Sequence, residues 1–309
     1  MTAAPLVPGP VTVRVPAKVN LELLVGPCRS DGYHSLATVY QAVGLYDDIT
    51  VAAADDFGVS VGGPLADGVP TDDDNIALRA ARLLADRHEG SPVHVSIRKG
   101  IPVAGGMAGG SADAAGTLVA LDHLWGLDLV REEIEEIGSE LGSDVPFLVA
   151  GGTAMGSGRG ERLAPVLARG TYHWVLALAD GGLPTPEVYA ECDRLRGAHD
   201  VPEPVATPTL MAALRTGDPH ELATQLTNDL QEAAVSLRPD LGETLAAGME
   251  YGALGGIVSG SGPTCAFLVE TTEAGIDLAV ALTASGVAAD VRRASGPVHG
   301  AHVIHHRVD

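Results

Sequence analysis

Pro102-Val103-Ala104-Gly105-Gly106-Met107-Ala108-Gly109-Gly110-Ser111 joins two segments of different periodicity. Ahead of it, Val93, Val95 and Ile97 alternate with His94, Ser96 and Arg98, the two-residue period of a half-buried strand running to Lys99. Behind it, Leu118, Leu121 and Trp125 recur at helical spacing in a helix opened by Ser111. Glycines let the backbone take positive φ and approach a ligand closely. Successive N–H groups can then converge on an anion, and the positive end of the following helix adds to them. The stretch is therefore a candidate phosphate-binding loop, with Ser111 as the helix cap. Two familiar loops are excluded. A Walker loop requires Gly-Lys-Ser/Thr, but Gly110 is followed by Ser111-Ala112. No G-x-G-x-x-G frame fits, because position 107 is Met. Asp113 is awkward here, since a carboxylate repels phosphate; it must either point away or help to hold Mg²⁺.

Charge makes such a loop more informative. The formal net charge is -21, which argues against nucleic-acid binding and repels a free nucleotide too. Phosphate binding then needs local positive potential from backbone N–H groups and a few placed cations. Cations are scarce in one respect: there are 17 arginines but only two lysines, Lys18 and Lys99. A surface tolerates exchange of Lys for Arg, whereas a site needing a compact, rotatable ammonium does not. Lys99, just ahead of the loop, is either a nucleotide contact or a strand-end lysine. Cys28, Cys192 and Cys265 have neither metal spacing nor a disulfide framework, which suits a reducing cytoplasm. No 18-residue apolar run lacks a charge, and Met1 to Val11 has no basic residue, so neither a membrane span nor a signal peptide is expected.

Outward from the loop, strands are expected at Val11–Val15, ended by Pro16, and at Val19–Val25. A further strand over Thr38–Val51 should break at Asp47-Asp48, and Asp55–Asp74 is loop-rich. Helical spacing marks Asn75–His88, Leu129–Leu141, Thr185–Arg196, Pro208–Leu230, Leu241–Gly252 and Gly275–Ser285. Gly151–Gly160 reads as a hairpin or loop, Trp174–Ala179 as a strand, and Gly255–Gly262 as a second glycine-rich loop. Strands at Cys265–Val269, Ala288–Arg293 and Ala301–His306 complete the chain. Strands and helices that do not strictly alternate indicate an α+β fold, divided into residues 1–165 and 166–309. His299, His302, His305 and His306 crowd the end with no carboxylate cluster nearby and are expected to be structural or solvated rather than metal ligands.

Three segments together carry a resemblance. They are Pro16-Ala17-Lys18-Val19-Asn20-Leu21, the glycine loop continuing through Ser111-Ala112-Asp113, and Gly256-Ile257-Val258-Ser259-Gly260-Ser261-Gly262-Pro263-Thr264. This set resembles the three-motif pattern of the galactokinase, homoserine, mevalonate and phosphomevalonate kinase superfamily. Asp31-Gly32-Tyr33-His34, Gly142-Ser143-Asp144-Val145-Pro146-Phe147 and Pro184-Thr185-Pro186-Glu187-Val188-Tyr189 resemble the branch that acts on 4-diphosphocytidyl-2-C-methyl-D-erythritol in the non-mevalonate route to isoprenoids.

The resemblance implies an ATP-dependent kinase of that substrate's 2-hydroxyl, with Mg²⁺ inferred and its ligands unassigned. It implies an N-terminal domain like ribosomal protein S5 domain 2 and a ferredoxin-like C-terminal domain, in a cytoplasmic monomer or homodimer. It makes Asp144 the base and Lys18 the catalytic lysine. Pro102 to Ala112, with Ala104, Met107 and Ala108 included, become the ATP loop. Tyr33 and Tyr189 would stack on cytosine, His34 would read its polar edge, and Asn20 and Thr185 would touch substrate. Ala104 and Ala108 replace glycines usual in the family, so these two positions are not expected to need positive φ. Ser143 replaces a usual alanine. The rivals are another kinase of the superfamily, against which Asp31–His34 stand, and a non-catalytic nucleotide-binding protein, against which the joint presence of Lys18 and Asp144 stands.

Overall fold

The structure, a computed structural model, describes residues 9–103, 105–197, 199 and 201–304. The first part runs β1 (Val11–Cys28), β2 (His34–Ala53), β3 (Gly58–Gly62), α1 (Ile76–His88), β4 (Val93–Arg98), α2 (Gly109–Trp125), α3 (Arg131–Leu141), α4 (Val145–Ala150), β5 (Thr153–Gly158) and β6 (Arg162–Pro165). The second runs β7 (Tyr172–Leu178), α5 (Thr185–Arg196), α6 (Pro208–Thr216), α7 (Pro219–Ala223), β8 (Thr227–Asn228), α8 (Gln231–Leu237), α9 (Asp240–Glu250), β9 (Gly255–Val258), β10 (Cys265–Val269), α10 (Thr272–Ser285), β11 (Asp290–Gly296) and β12 (His302–Val303). One sheet has the order β12-β1-β2-β4-β3, with β5 on β2, β6 on β5 and β8 on β1. The other, β11-β7-β10-β9, is antiparallel throughout.

Strand β1 shows how the sequence builds the frame. Pro16 was expected to end it, but the strand continues with a register shift between Pro16 and Ala17. Proline lacks an N–H and is accommodated at such irregularities. A bulge also re-aims the side chains that follow, and here Lys18 and Asn20 come next. Likewise β2 does not break at Asp47-Asp48: Asp48 remains paired with Arg14 in the ladder and by a bidentate ion pair of 2.8 and 3.0 Å. Asp47 is buried and is discussed below.

Helix α2 is central. Ala112, Ala114, Ala115 and Ala120 are buried together with Leu118 and Leu121, so this helix is apolar nearly all round rather than on one face. Small residues let its backbone lie directly on the sheet. A Cβ placed on Gly116 would come within 2.5 Å of Ile49 Cγ1 and 2.6 Å of Val15 Cγ2. One continuous core runs from Val13, Val15 and Ile49 under α2 to Trp174 and Leu176 of the second sheet. There the Trp174 indole N–H donates to Gln41 Oε1 at 2.9 Å.

Other expectations change in detail. Pro208–Leu230 is not one helix, because Pro219 and the strand pair Thr227–Asn228 divide it. Asp55–Asp74 contains β3, which runs parallel to β4. Gly255–Val258 is strand, so the second glycine-rich loop begins at Ser259. His305 and His306 lie outside the described residues. Among the described residues no helix is long and apolar enough to cross a membrane. Gly116→Val should therefore lower stability by about 2 kcal/mol through overpacking, measured as a lower urea midpoint at unchanged m-value.

Candidate functional site

The glycine loop crosses from β4 to α2, and Met107, fully buried, pins its middle. Met107 O accepts the Lys18 backbone N–H at 3.3 Å. Gly106 has φ +72, and a Cβ there would lie 2.0 Å from Ser259 O. Ser259 Oγ also donates to Gly106 O at 3.1 Å. The loop is thus clasped by the segment after β9, which is itself held by Asn228 Nδ2 donating to Val258 O and Gly260 O at 2.8 and 2.7 Å. Helix α2 starts at Gly109, two residues before the expected start, and its cap is Ala108 without a side-chain hydrogen bond; Ser111 is not the cap. Ala108 has φ +62, contrary to the expectation that this position avoids positive φ. Met107 on one side and the helix on the other fix the backbone, and alanine accepts the strained conformation at about 1–2 kcal/mol. Ala104 lies outside the described residues.

Behind the loop is a buried ionic cluster. Lys99 Nζ donates to Asp47 Oδ2 at 2.5 Å, Asp113 Oδ2 at 2.9 Å and Gly109 O at 3.1 Å. All three side chains are buried, and Asp47 Oδ1 also accepts the N–H groups of Gly100 and Ile101 at 2.6 and 2.9 Å. Burial pushes the Asp113 carboxyl up to about 8; Asp47 adds to this and Lys99 opposes it. Asp113, tied to Lys99, therefore points away from the loop's open side. In a trans peptide the C=O and N–H point oppositely. Tying Gly109 C=O back to Lys99 thus turns the Gly110 N–H forward.

The forward side is a cleft of about 830 Å³. Gly105, Gly106, Ala108, Gly109, Gly110 and Ser111 line it, whereas Pro102, Val103, Met107 and Ala112 do not. Lys18, Asn20, Tyr33, His34, Asp144, Thr185 and Tyr189 also line it, so residues dispersed over the chain meet in one place. Lys18 Nζ donates to Asn20 Oδ1 at 2.7 Å, and Asn20 Nδ2 to Thr38 Oγ1 at 2.8 Å. Asp144 Oδ2 lies 3.7 Å from Lys18 Nζ, with the lysine side chain 5% and the carboxylate 28% exposed. Asp144 precedes α4 but does not cap it with its side chain, which leaves the carboxylate to the cleft. Lys99 does not line the cleft; its ammonium is committed to the buried cluster.

At the far end, His34 Nε2 lies 3.0 and 3.1 Å from the two carboxylate oxygens of Asp193. The His34 and Tyr189 rings stand 5.1 Å apart. Thr185 Oγ1 is 2.9 Å from Ser261 Oγ, and Tyr33 is 54% exposed on the rim. Burial, reinforced by the charge of Asp144, raises the hydroxyl pKa of both Tyr189 and Tyr40.

Tyr40, Arg159 and Asp193 also line the cleft but escaped the sequence reading. Tyr40 pairs with Asn20 across the ladder and stacks on Phe147 at 4.9 Å. Asp193 carried a usable signal, since it lies four residues after Tyr189 and so shares its helix face.

Known proteins match this arrangement. The family description "GHMP kinases N terminal domain" matches residues 75–152 and "GHMP kinases C terminal" matches 210–288. The 4-diphosphocytidyl-2-C-methyl-D-erythritol kinase of Mycolicibacterium smegmatis is 57% identical over 304 residues, covering 96% of this chain and 93% of the relative. That of Nocardia farcinica is 57% identical over 300 residues, covering 97% and 98%. A crystal structure of 4-(cytidine 5'-diphospho)-2C-methyl-D-erythritol kinase superposes with a TM-score of 0.73 at 32% identity, covering 92% of this chain and 98% of that one. L. major mevalonate kinase in complex with R-mevalonate gives a TM-score of 0.75 at 16% identity over 97% and 100% of the chains, a likeness of fold alone.

Two stability outcomes follow from the loop. Lys99→Met leaves two buried carboxyl groups without their cation and should cost about 3–5 kcal/mol by urea denaturation. Ala108→Gly removes the positive-φ penalty and should raise stability by up to about 1 kcal/mol in the same assay.

Proposed function

The chain belongs to the GHMP kinases, in the family of 4-diphosphocytidyl-2-C-methyl-D-erythritol kinases, and from that premise we propose that it transfers the γ-phosphoryl group of ATP to the 2-hydroxyl of that substrate through Asp144 and Lys18. The observation that carries the residue assignment is the Lys18–Asp144 pair, 3.7 Å apart on the cleft wall between the glycine loop and His34.

The chemistry follows from the charges. Asp144, with the Lys18 ammonium 3.7 Å away, accepts the proton of the attacking hydroxyl. The hydroxyl oxygen bonds to the γ-phosphorus as the bond to the β–γ bridging oxygen breaks, and ADP departs. Lys18 offsets the charge that develops on the transferred group, while Asn20 and Thr38 hold its ammonium in place. The N–H groups at Gly109 and Gly110 face the triphosphate. Ser111, a hard-oxygen donor lining the cleft, fits Mg²⁺, which binds hard oxygens together with substrate phosphates. When bound, the ion would neutralise phosphate charge.

Cytosine stacks between Tyr33 and Tyr189 and is read by His34, whose ring Asp193 orients. The same family membership supports an S5 domain 2-like domain over 1–165 and a ferredoxin-like domain over 166–309, the latter around the antiparallel sheet β11-β7-β10-β9.

Presented with ATP and a panel of 4-diphosphocytidyl-2-C-methyl-D-erythritol, homoserine and mevalonate, the protein should phosphorylate the first alone. Lys18→Ala and Asp144→Asn should each lower kcat by about 10²–10⁴-fold with circular dichroism unchanged. Full turnover in both variants would remove the mechanism.

A further inference from the structure

Arg159 stands apart from the other cations of this acidic chain. Lys18 and Arg159 are the lysine and arginine that line the cleft, and Lys18 is already committed to Asn20 and Asp144. The Arg159 guanidinium has neither a carboxylate partner nor a side-chain hydrogen bond among the described residues. A carboxylate is close by in sequence, but it is used otherwise: Glu161 Oε2 accepts the Arg159 backbone N–H at 2.6 Å. That bond fixes the hairpin between β5 and β6 and leaves the guanidinium free. The group is nevertheless placed, because it lies over the Tyr33 ring, 5.0 Å from the centroid. On a protein of net charge -21, an unpaired arginine turned toward a cleft that must admit an anion demands an explanation.

We propose that Arg159 binds the diphosphate bridge of the nucleotide-linked substrate, the planar fork of its guanidinium donating to phosphate oxygens while its face rests on Tyr33. The proposal rests on the reading of the substrate given above. A guanidinium presents paired donors that match phosphate oxygens, which an ammonium cannot reproduce. Its position explains how a diphosphate can lie near Asp144 and Asp193 without a helix terminus of its own: the charge is met by one arginine that no carboxylate among the described residues neutralises. Stacking on Tyr33 limits the rotamers that the long side chain gives up on binding.

The test separates diphosphate from base. Competitive inhibition by cytidine 5'-diphosphate and by cytidine is measured for the wild type, Arg159→Ala, Arg159→Gln and Arg159→Lys, beside the KM values for ATP and substrate. Arg159→Ala and Arg159→Gln should weaken cytidine 5'-diphosphate, and raise KM for the substrate, about tenfold or more. Inhibition by cytidine and KM for ATP should stay within twofold, and Arg159→Lys should fall between. Equal loss of both inhibitors would reduce Arg159 to a support for Tyr33 and overturn the proposal. An unchanged ratio would overturn it as well. A wild type that turns over no diphosphocytidyl substrate would instead remove the reading beneath it.

Discussion

The ammonium of Lys99, sealed between Asp47 and Asp113, is the contact on which the site depends. It joins the middle of β2, the end of β4 and the first turn of α2 at a single atom. A buried ion pair of this kind adds little net stability over a well-packed apolar trio, because desolvation consumes most of the attraction. What it adds is orientation. With Gly109 C=O drawn backward, the amide that follows is turned to the cleft. Preorganised donors of this kind need no rearrangement when charge arrives.

The same economy appears across the cleft. The chain carries 40 acidic residues and builds an anion site with few cations. Backbone amides supply positive potential without net charge, and the two carboxyl groups behind them, Asp47 and Asp113, are turned onto Lys99. The remaining cations are individually assigned. Lys99 is structural, Lys18 sits against Asp144, and Arg159 has no carboxylate partner among the described residues. Replacing either lysine by the abundant arginine would put a planar fork where a compact tetrahedral donor fits, which accounts for lysine surviving at those two positions.

Much of this was legible in the sequence, and the failures share a cause. Alternation located β4, and periodicity located α1 and α5, because these elements meet their surroundings on a single face. Strand β1 defeated the same reasoning: it is buried on both faces from Val15 to Leu23, so alternation vanishes there and Pro16 looked like an end. Ala108 failed for a different reason. Its conformation is imposed by Met107 below and α2 above, and local propensity gave no warning. Lys18 and Asp144 were paired only through the family pattern, since 126 residues separate them and no periodicity reports such a distance. Tyr40 and Arg159 were missed because a strand tyrosine and a hairpin arginine are ordinary until the fold points them at a cleft.

The strands that flank β1 come late in the chain. β12 pairs with it at Val13 and Arg14, and β8 pairs with it at Glu22 and Leu23. Lys18 lies between these two patches. The edge of the strand that carries the lysine is therefore completed by residues 227–228 and 302–303. During synthesis the first half can collapse around α2, but this edge stays open until residues 302–303 have left the ribosome. The half of the protein that carries Lys18 and Asp144, although encoded first, is completed by residues of the second, and a chain cut short before residue 302 would lack one of its flanking strands.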